Sequence, residues 1–293
     1  MRYYVTADIH GFYTPLKDAL TKAGFFEDTK PHKLVVLGDL MDRGKEAVEL
    51  QTFILKLMEE DSVILIRGNH EDLYESLVGE DHGTAYSHHK HNGTYDTALQ
   101  LTGFDKTMAF IKRYDFADAG RETPFYQTIM PAMRDYYETR NYIFVHGWIP
   151  CIAERGGYSA ISKWREASPE EWRKARWYNG MDAARTADEE KTVICGHWHT
   201  SYGHSKYEKA CSEFGPDADF SPYYAPGIIA LDACTAHTGF VNCIVIEDEE
   251  MPQEQMRTQA TSLSSELTDD EKIDIVAERI LKKYKPAFEE LTK

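Results

Sequence analysis

Five short segments gather side chains that bind metal ions. They are Asp8-Ile9-His10, Gly38-Asp39-Leu40-Met41-Asp42-Arg43-Gly44, Gly68-Asn69-His70-Glu71, His146-Gly147 and Gly196-His197-Trp198-His199. Mixed carboxylate, imidazole and amide donors suit Mn, Fe or Zn better than Ca or Mg. Divalent ions held this way grip oxyanions and lower the pKa of bound water, which is hydrolytic chemistry. Taken singly, each residue has a plainer reading. Asp39 caps the turn before the next helix, Gly38 and Gly44 are turn residues, and Asn69 and His70 cap a helix at Glu71. One isolated His is more often a hydrogen-bonded structural residue than a ligand. Five such segments, each directly after an apolar run, favour a metal site over those separate readings.

The elements that would position these residues alternate in type. Tyr3 to Ala7 reads as a short strand, Pro15 to Ala23 as a helix with Gly24 just past its end. Leu34 to Leu37 and Val63 to Ile66 are continuous apolar runs, the mark of strands buried on both faces. Lys45 to Glu60 and Glu71 to Val78 read as helices. This βαβαβα order predicts a parallel sheet with helices on its faces. Residues 80 to 95 read as a loop and residues 96 to 114 as mixed helix. Asp135 to Glu138 and Tyr142 to Val145 read as a hairpin, and residues 150 to 190 as polar, Trp-rich helices with loops. Lys191 to Cys195, Gly227 to Leu231 and Phe240 to Ile246 read as further strands, enough for a second buried sheet. In open α/β sheets ligands bind beyond the carboxyl ends of the strands, so the five segments are expected to meet at one rim.

In this order the segments resemble the signature of the calcineurin-like metallophosphoesterases: D-x-H, G-D-x-x-D-R-G, G-N-H-E, H and G-H-x-H. The G-D-x-x-D-R-G and G-N-H-E pair resembles the phosphoprotein-phosphatase branch. That branch includes bacterial and phage Ser/Thr phosphatases and symmetrical diadenosine tetraphosphatases. The resemblance covers residues 4 to 246, and Asn92-Gly93-Thr94-Tyr95-Asp96-Thr97 is similar to the branch's N-G-G-x-x-T element, with Thr94 in place of the second Gly. It implies an α/β fold, a two-sheet αββα sandwich with a dinuclear metal site at the strand C-terminal ends. By the same resemblance Asp8 and His10 bind the first metal, Asp39 bridges both, and Asn69, His146 and His197 bind the second. His199 caps the first metal, as the last His of G-H-x-H does in many relatives. His70 protonates the leaving oxygen, Asp42 orients His70, and Arg43, Arg67 and Arg176 bind phosphate. Two divalent ions, less two carboxylates and one hydroxide, leave the site near roughly +1, as a phosphate requires in an acidic protein.

The expected activity is hydrolysis of phosphomonoesters by direct attack of a metal-bridging hydroxide. Phosphoserine or phosphothreonine on protein is the first choice of substrate. A bis(5'-nucleosyl)-tetraphosphatase is the alternative, and a phosphopeptide- or nucleotide-binding protein with a decayed site is the reading from another class. Two Mn ions are the first choice of cofactor, with Fe and Zn as alternatives. His82, His88, His89 and His91 are read as a solvated loop near the site's mouth. Trp148, Trp164, Trp172, Trp198, Tyr178, Tyr202 and Tyr207 are read as core or wall residues, and Asp232 as a neighbour of the ligands.

Composition fits this picture. The chain has 293 residues, with 33 Lys+Arg against 49 Asp+Glu, a formal charge of −16 that opposes binding of long nucleic acid or an anionic membrane. Hydrophobic residues at 42% and aromatics at 12% are enough for a sizeable core. No run approaches ~18 apolar residues, so no membrane span is expected. Five Cys, widely spaced and without C-x-x-C, fit a reducing compartment. With no signal-peptide pattern at the N-terminus, a cytoplasmic location is expected. The catalytic domain is expected over residues 1–248, followed by a polar linker at 249–267. A C-terminal helix at 268–293 opens on the capping box Thr268-Asp269-Asp270-Glu271.

Overall fold

Strands β1 (Arg2–Thr6), β2 (His32–Leu37) and β3 (Val63–Ile66) pair in parallel, β1 with β2 and β2 with β3. Helices α1 (Tyr13–Ala23), α2 (Ala47–Glu59) and α3 (Asn69–Val78) follow them in turn. These are the units expected from the apolar runs, with helix starts shifted by two residues. The computed structural model describes residues 1–79, 86–154, 157–187 and 189–251. The linker and helix expected over 249–267 and 268–293 fall outside these residues from position 252 onward, as does His82.

A second sheet is built from β4 (Tyr137–Glu138), β5 (Tyr142–Phe144), β8 (Thr192–Cys195), β9 (Tyr223–Ala225) and β10 (Ile228–Ala230), in the order β4-β5-β8-β10-β9. Its three central strands are parallel and its edge strands antiparallel. A separate two-stranded pair, β6 (Cys151–Glu154) with β7 (Gly157–Ala160), stands where only helices and loops were expected. Three of the four β6 residues are exposed, so no apolar alternation marked it. The last strand, β11 (Cys243–Glu247), returns to the first sheet and closes its edge antiparallel to β1.

Alternation along the strands shows how the layers stack. Tyr4, Leu34, Val36 and Leu65 turn outward into one apolar cluster with Leu16, Leu20, Leu50 and Ile54 of α1 and α2. Ile143, Val193, Cys195 and Ile228 turn the other way, into a second cluster with Trp148, Trp164 and Trp172. Between the sheets lie the opposite faces. The Tyr3 ring meets Tyr137 and Phe144 at 5.9 and 6.0 Å, and its hydroxyl is 3.1 Å from that of Tyr137. Helices, sheet, sheet and helices therefore form the expected αββα sandwich. A strand residue here faces either a helix layer or the other sheet, which is why these strands read as continuous apolar runs.

Within the segment expected as a loop, residues 86–95 are largely helical instead. Helix α4 (Tyr86–Asn92) and helix α5 (Thr94–Thr102) flank Gly93. His88 and His91 of α4 are exposed while His89 is buried, so the His-rich composition hid a one-sided helix. All five cysteines are free thiols. Among the described residues no helix is long and apolar enough to cross a membrane.

Candidate metal centre

The strand ends deliver the site. Asp8, Asp39, His146, His197 and Asp232 each stand two residues beyond the last residue of β1, β2, β5, β8 and β10, and Asn69 stands three beyond β3. Backbone hydrogen bonds between these loops lock them together. Asp8 N–H donates to Gly38 O, His10 N–H to Asp39 O and Gly196 N–H to His146 O. The turns are tight: Asp8, His10, Asp39, Asp42, Arg43 and His197 all have positive φ, between 50° and 78°. Such strain in non-glycine residues gathers where the surrounding structure imposes it, commonly at functional sites. Two glycines admit the carboxylates. A Cβ on Gly68 would lie 2.3 Å from Asp39 Oδ1, and one on Gly196 would lie 2.1 Å from Asp8 Oδ2.

Two groups of donors converge, sharing Asp39. One is His10, Asp39 and His70; the other is Asp39, His146 and His197; within each, the ligand atoms lie within 4.8 Å of one another. Asp39 Oδ1 is 3.3 Å from His146 Nε2, and Oδ2 is 3.7 Å from His10 Nε2. Asn69 Oδ1 is 2.8 Å from His146 Nε2. Both carboxylate oxygens of Asp8 accept the His197 backbone N–H, at 3.1 and 2.9 Å. The His146 and His10 rings are set from behind, their Nδ1 atoms 2.7 Å from Leu37 O and 3.1 Å from Met41 O. That leaves each Nε2 free to face the centre, the arrangement in which a ligating imidazole is oriented by its other nitrogen.

The electrostatics fit bound cations. Burial pushes the Asp8 carboxyl well above its usual range, with Asp232 and Asp39 adding to it. Asp232 is likewise raised, to about 6, chiefly by burial. Buried carboxylates this close call for compensating positive charge. Burial also holds His10, His146 and His197 below the normal imidazole range, His197 at about 3. Burial thus favours the neutral ring, the ligating form. Glu71 serves the frame instead: its carboxylate accepts the backbone N–H groups of Gly68, Asp39 and Leu40 at 2.7, 3.1 and 3.0 Å.

Beside the centre stands a His–Asp pair. His70 Nδ1 is 2.7 Å from Asp42 Oδ2, and Arg43 Nη2 is 3.2 Å from His70 Nε2. Burial disfavours the charged ring, but Asp39 and Asp42 outweigh it and raise the His70 pKa. The neighbouring guanidinium opposes a cation on the same nitrogen, although His70 lies within ligand range. The N-G-T-Y-D-T element clamps this pair: Thr94 Oγ1 donates to Asp42 Oδ2 at 2.7 Å, and Asp42 N–H donates to Thr97 Oγ1 at 3.0 Å.

Other candidates lie apart from this cluster. His199 Nε2 is 2.8 Å from Glu213 Oε1, outside both donor groups. Arg67 is held by Asp72 and Glu75, and Arg176 by Asp72 and Asp135, so Asp72 ties the two guanidiniums together. Trp148, Trp164 and Trp172 are core residues. The sequence marks Trp177 only as the neighbour of Arg176 and gives it no role of its own; it is 48% exposed with its ring 5.7 Å from that of His197. The signal for it was its place one residue after Arg176.

Comparison with known proteins agrees with this geometry. The sequence profile of the calcineurin-like phosphoesterases matches residues 1–201. Over 86 residues the chain is 37% identical to PrpE of Bacillus velezensis, an asymmetrical bis(5'-nucleosyl)-tetraphosphatase, covering 27% of this chain and 34% of the relative. Over 150 residues it is 33% identical to a symmetrical bis(5'-nucleosyl)-tetraphosphatase of a Marinomonas species, covering 51% of this chain and 45% of that one. The chain thus spans less than half the length of either relative. The fold is shared with a cold-active protein-tyrosine phosphatase of a psychrophilic Shewanella species, at a TM-score of 0.50 and 15% identity, over 84% of this chain and 75% of that one. With ligand-bearing loops on the family's sandwich and a profile match across most of the sequence, this chain belongs to the calcineurin-like phosphoesterase family.

Proposed function

We propose that this chain is a metal-dependent phosphoesterase whose substrate is a dinucleoside polyphosphate of the diadenosine tetraphosphate kind. The observation that carries the nucleotide reading is Trp177, half exposed with its ring 5.7 Å from that of His197. An open aromatic face at the rim of a phosphate site stacks a base, whereas phosphoserine and phosphothreonine offer nothing flat to lie on it. The tetraphosphatase relatives support the same choice. The dinucleotide therefore moves ahead of the phosphoprotein that the motifs alone place first.

In this reading Asp8, His10 and Asp39 would hold one divalent ion and Asp39, Asn69, His146 and His197 a second, with Mn preferred over Fe and Zn. Bound there, the ions would neutralise phosphate oxygens and lower the pKa of water. Once Arg43 has turned from Nε2 to the phosphate, His70 would carry a proton on Nε2 to the leaving oxygen, while Asp42 holds Nδ1 and offsets the charge of the imidazolium. Arg43 reaches the same nitrogen, so its fork lies where a departing phosphate group would accept it. Arg67 and Arg176, tied through Asp72 and paired also with Glu75 and Asp135, are given no phosphate contact in this reading. We place the catalytic unit in residues 1–248 and, from the free thiols, the protein in the cytoplasm.

The test sets diadenosine tetraphosphate, a phosphoserine peptide and p-nitrophenyl phosphate side by side with Mn²⁺. The highest kcat/KM is expected on the dinucleotide; a phosphopeptide preference would reverse the reading. Nucleotide binding without turnover of any substrate would favour a decayed site. Base stacking on one ring contributes about 1–3 kcal/mol. Trp177→Ala should therefore raise KM for diadenosine tetraphosphate by about 5- to 150-fold. On the phosphoserine peptide, whose reacting ester has no ring to stack, kcat/KM should stay within about twofold. Equal losses on both substrates would place Trp177 in the frame of the centre rather than under a base.

A further inference from the structure

Asp42 supports the proton donor and is itself only half satisfied. Its Oδ2 is shared by His70 Nδ1 and Thr94 Oγ1, both at 2.7 Å, but its Oδ1 is buried with no hydrogen-bond partner. Buried polar atoms are nearly always paired, directly or through water. Among the described residues, one buried imidazole has the complementary need. His89 is only 5% exposed, and its Nδ1 also lacks a partner.

The backbone brings the two segments together. Helix α4 runs into Gly93, whose φ of 86° and missing Cβ let it lie against the Asp42–Arg43 turn; a Cβ there would come within 2.3 Å of Arg43 N. His89 stands one helical turn before Gly93, so it shares the face that meets this turn. Thr94, directly after Gly93, already bonds Asp42. Burial and then His88 hold the His89 ring neutral, and the acid that acts against them is Asp42. A neutral imidazole has one N–H to give.

We propose that His89 is a positioning residue for the proton donor: its ring N–H serves Asp42 Oδ1, through one bridging water or a small turn of the ring, and fixes the carboxylate that orients His70. The assignment rests on His70 and Asp42 forming the acid pair. It gives His89 a role that its place in a His-rich polar segment did not suggest.

The test compares His89→Ala, His89→Phe and His89→Gln on phenyl phosphate and p-nitrophenyl phosphate, with metal content measured alongside. Phenolate is a strong base that needs a proton to leave; p-nitrophenolate needs little help. Ala, and Phe which fills the space without an N–H, should lower kcat on phenyl phosphate about tenfold and on p-nitrophenyl phosphate less than about threefold. KM and metal content should hold. Gln, which restores a donor, should recover most of the rate. Phe covers the case in which Ala is unstable. Loss of the same size on both substrates, or none on either, would overturn the proposal while His70→Asn still showed the leaving-group bias. If His70→Asn lacked that bias, the acid pair itself would fall, and His89 with it.

Discussion

Asp39→Asn should leave a folded protein that neither binds two metal ions nor turns over substrate. Asp39 is the one carboxylate shared by both groups of converging donors. The substitution keeps the shape and an oxygen for the His70 backbone N–H, which Asp39 Oδ1 accepts at 3.0 Å. It removes the negative charge and can turn an NH₂ group toward His146 or His10. Metal-held charge stabilisation is worth several kcal/mol in hydrolytic sites, so activity should fall by at least about 10³-fold. Elemental analysis should find the metal gone. A ligand at 100 times its Kd stabilises a fold by about 2.7 kcal/mol, so Mn²⁺ should raise the Tm of the parent protein and leave that of Asp39→Asn unmoved. Retention of both ions with activity would remove Asp39 from the bridging position.

His70→Asn should separate the proton donor from the metals. The ring is held between Asp42 on one nitrogen and Arg43 on the other, and its neighbour Asn69 is the proposed ligand. Metal content should therefore survive while kcat falls by about 10²–10⁴-fold, the usual contribution of a general acid. The defect should depend on the leaving group. It should be at least about tenfold larger on phenyl phosphate than on p-nitrophenyl phosphate, or ~1.4 kcal/mol in the transition state. A metal-free His70→Asn protein would make His70 a ligand, which its place within range of Asp39 also allows on distance alone. Equal defects on both esters would leave departure of the leaving group to the metals.

The convergence of the candidate donors was legible in the sequence because these residues follow apolar runs that read as buried strands. Leu34 to Leu37 announces β2, and Asp39 two residues later needs no tertiary information to be placed at a strand end. The frame around the centre was less legible because it is made across distance. Thr94 and Thr97 reach Asp42 from more than fifty residues along the chain, with separations of 52 and 55. The N-G-T-Y-D-T element could be noticed in the sequence, but not the pair it clamps. Glu71 reads in the sequence only as the start of a helix, yet its carboxylate gathers three backbone N–H groups from two loops. Trp177 and Trp172 look alike in sequence. Packing alone decides that Trp172 is 4% exposed in the core and Trp177 48% exposed at the rim. The His88–His91 stretch reads as polar because three sides of a short helix are wet; the fourth side, His89, is the one that faces inward.

The central claim is that the strand ends of two sheets assemble one dinuclear centre around Asp39. Anomalous diffraction from crystals grown with Mn²⁺ tests it most directly. The account predicts two peaks roughly 3.5–4 Å apart, with Asp39 touching both, Asp8 and His10 on one, and Asn69, His146 and His197 on the other. A single fully occupied ion, or two ions that do not share Asp39, would contradict it.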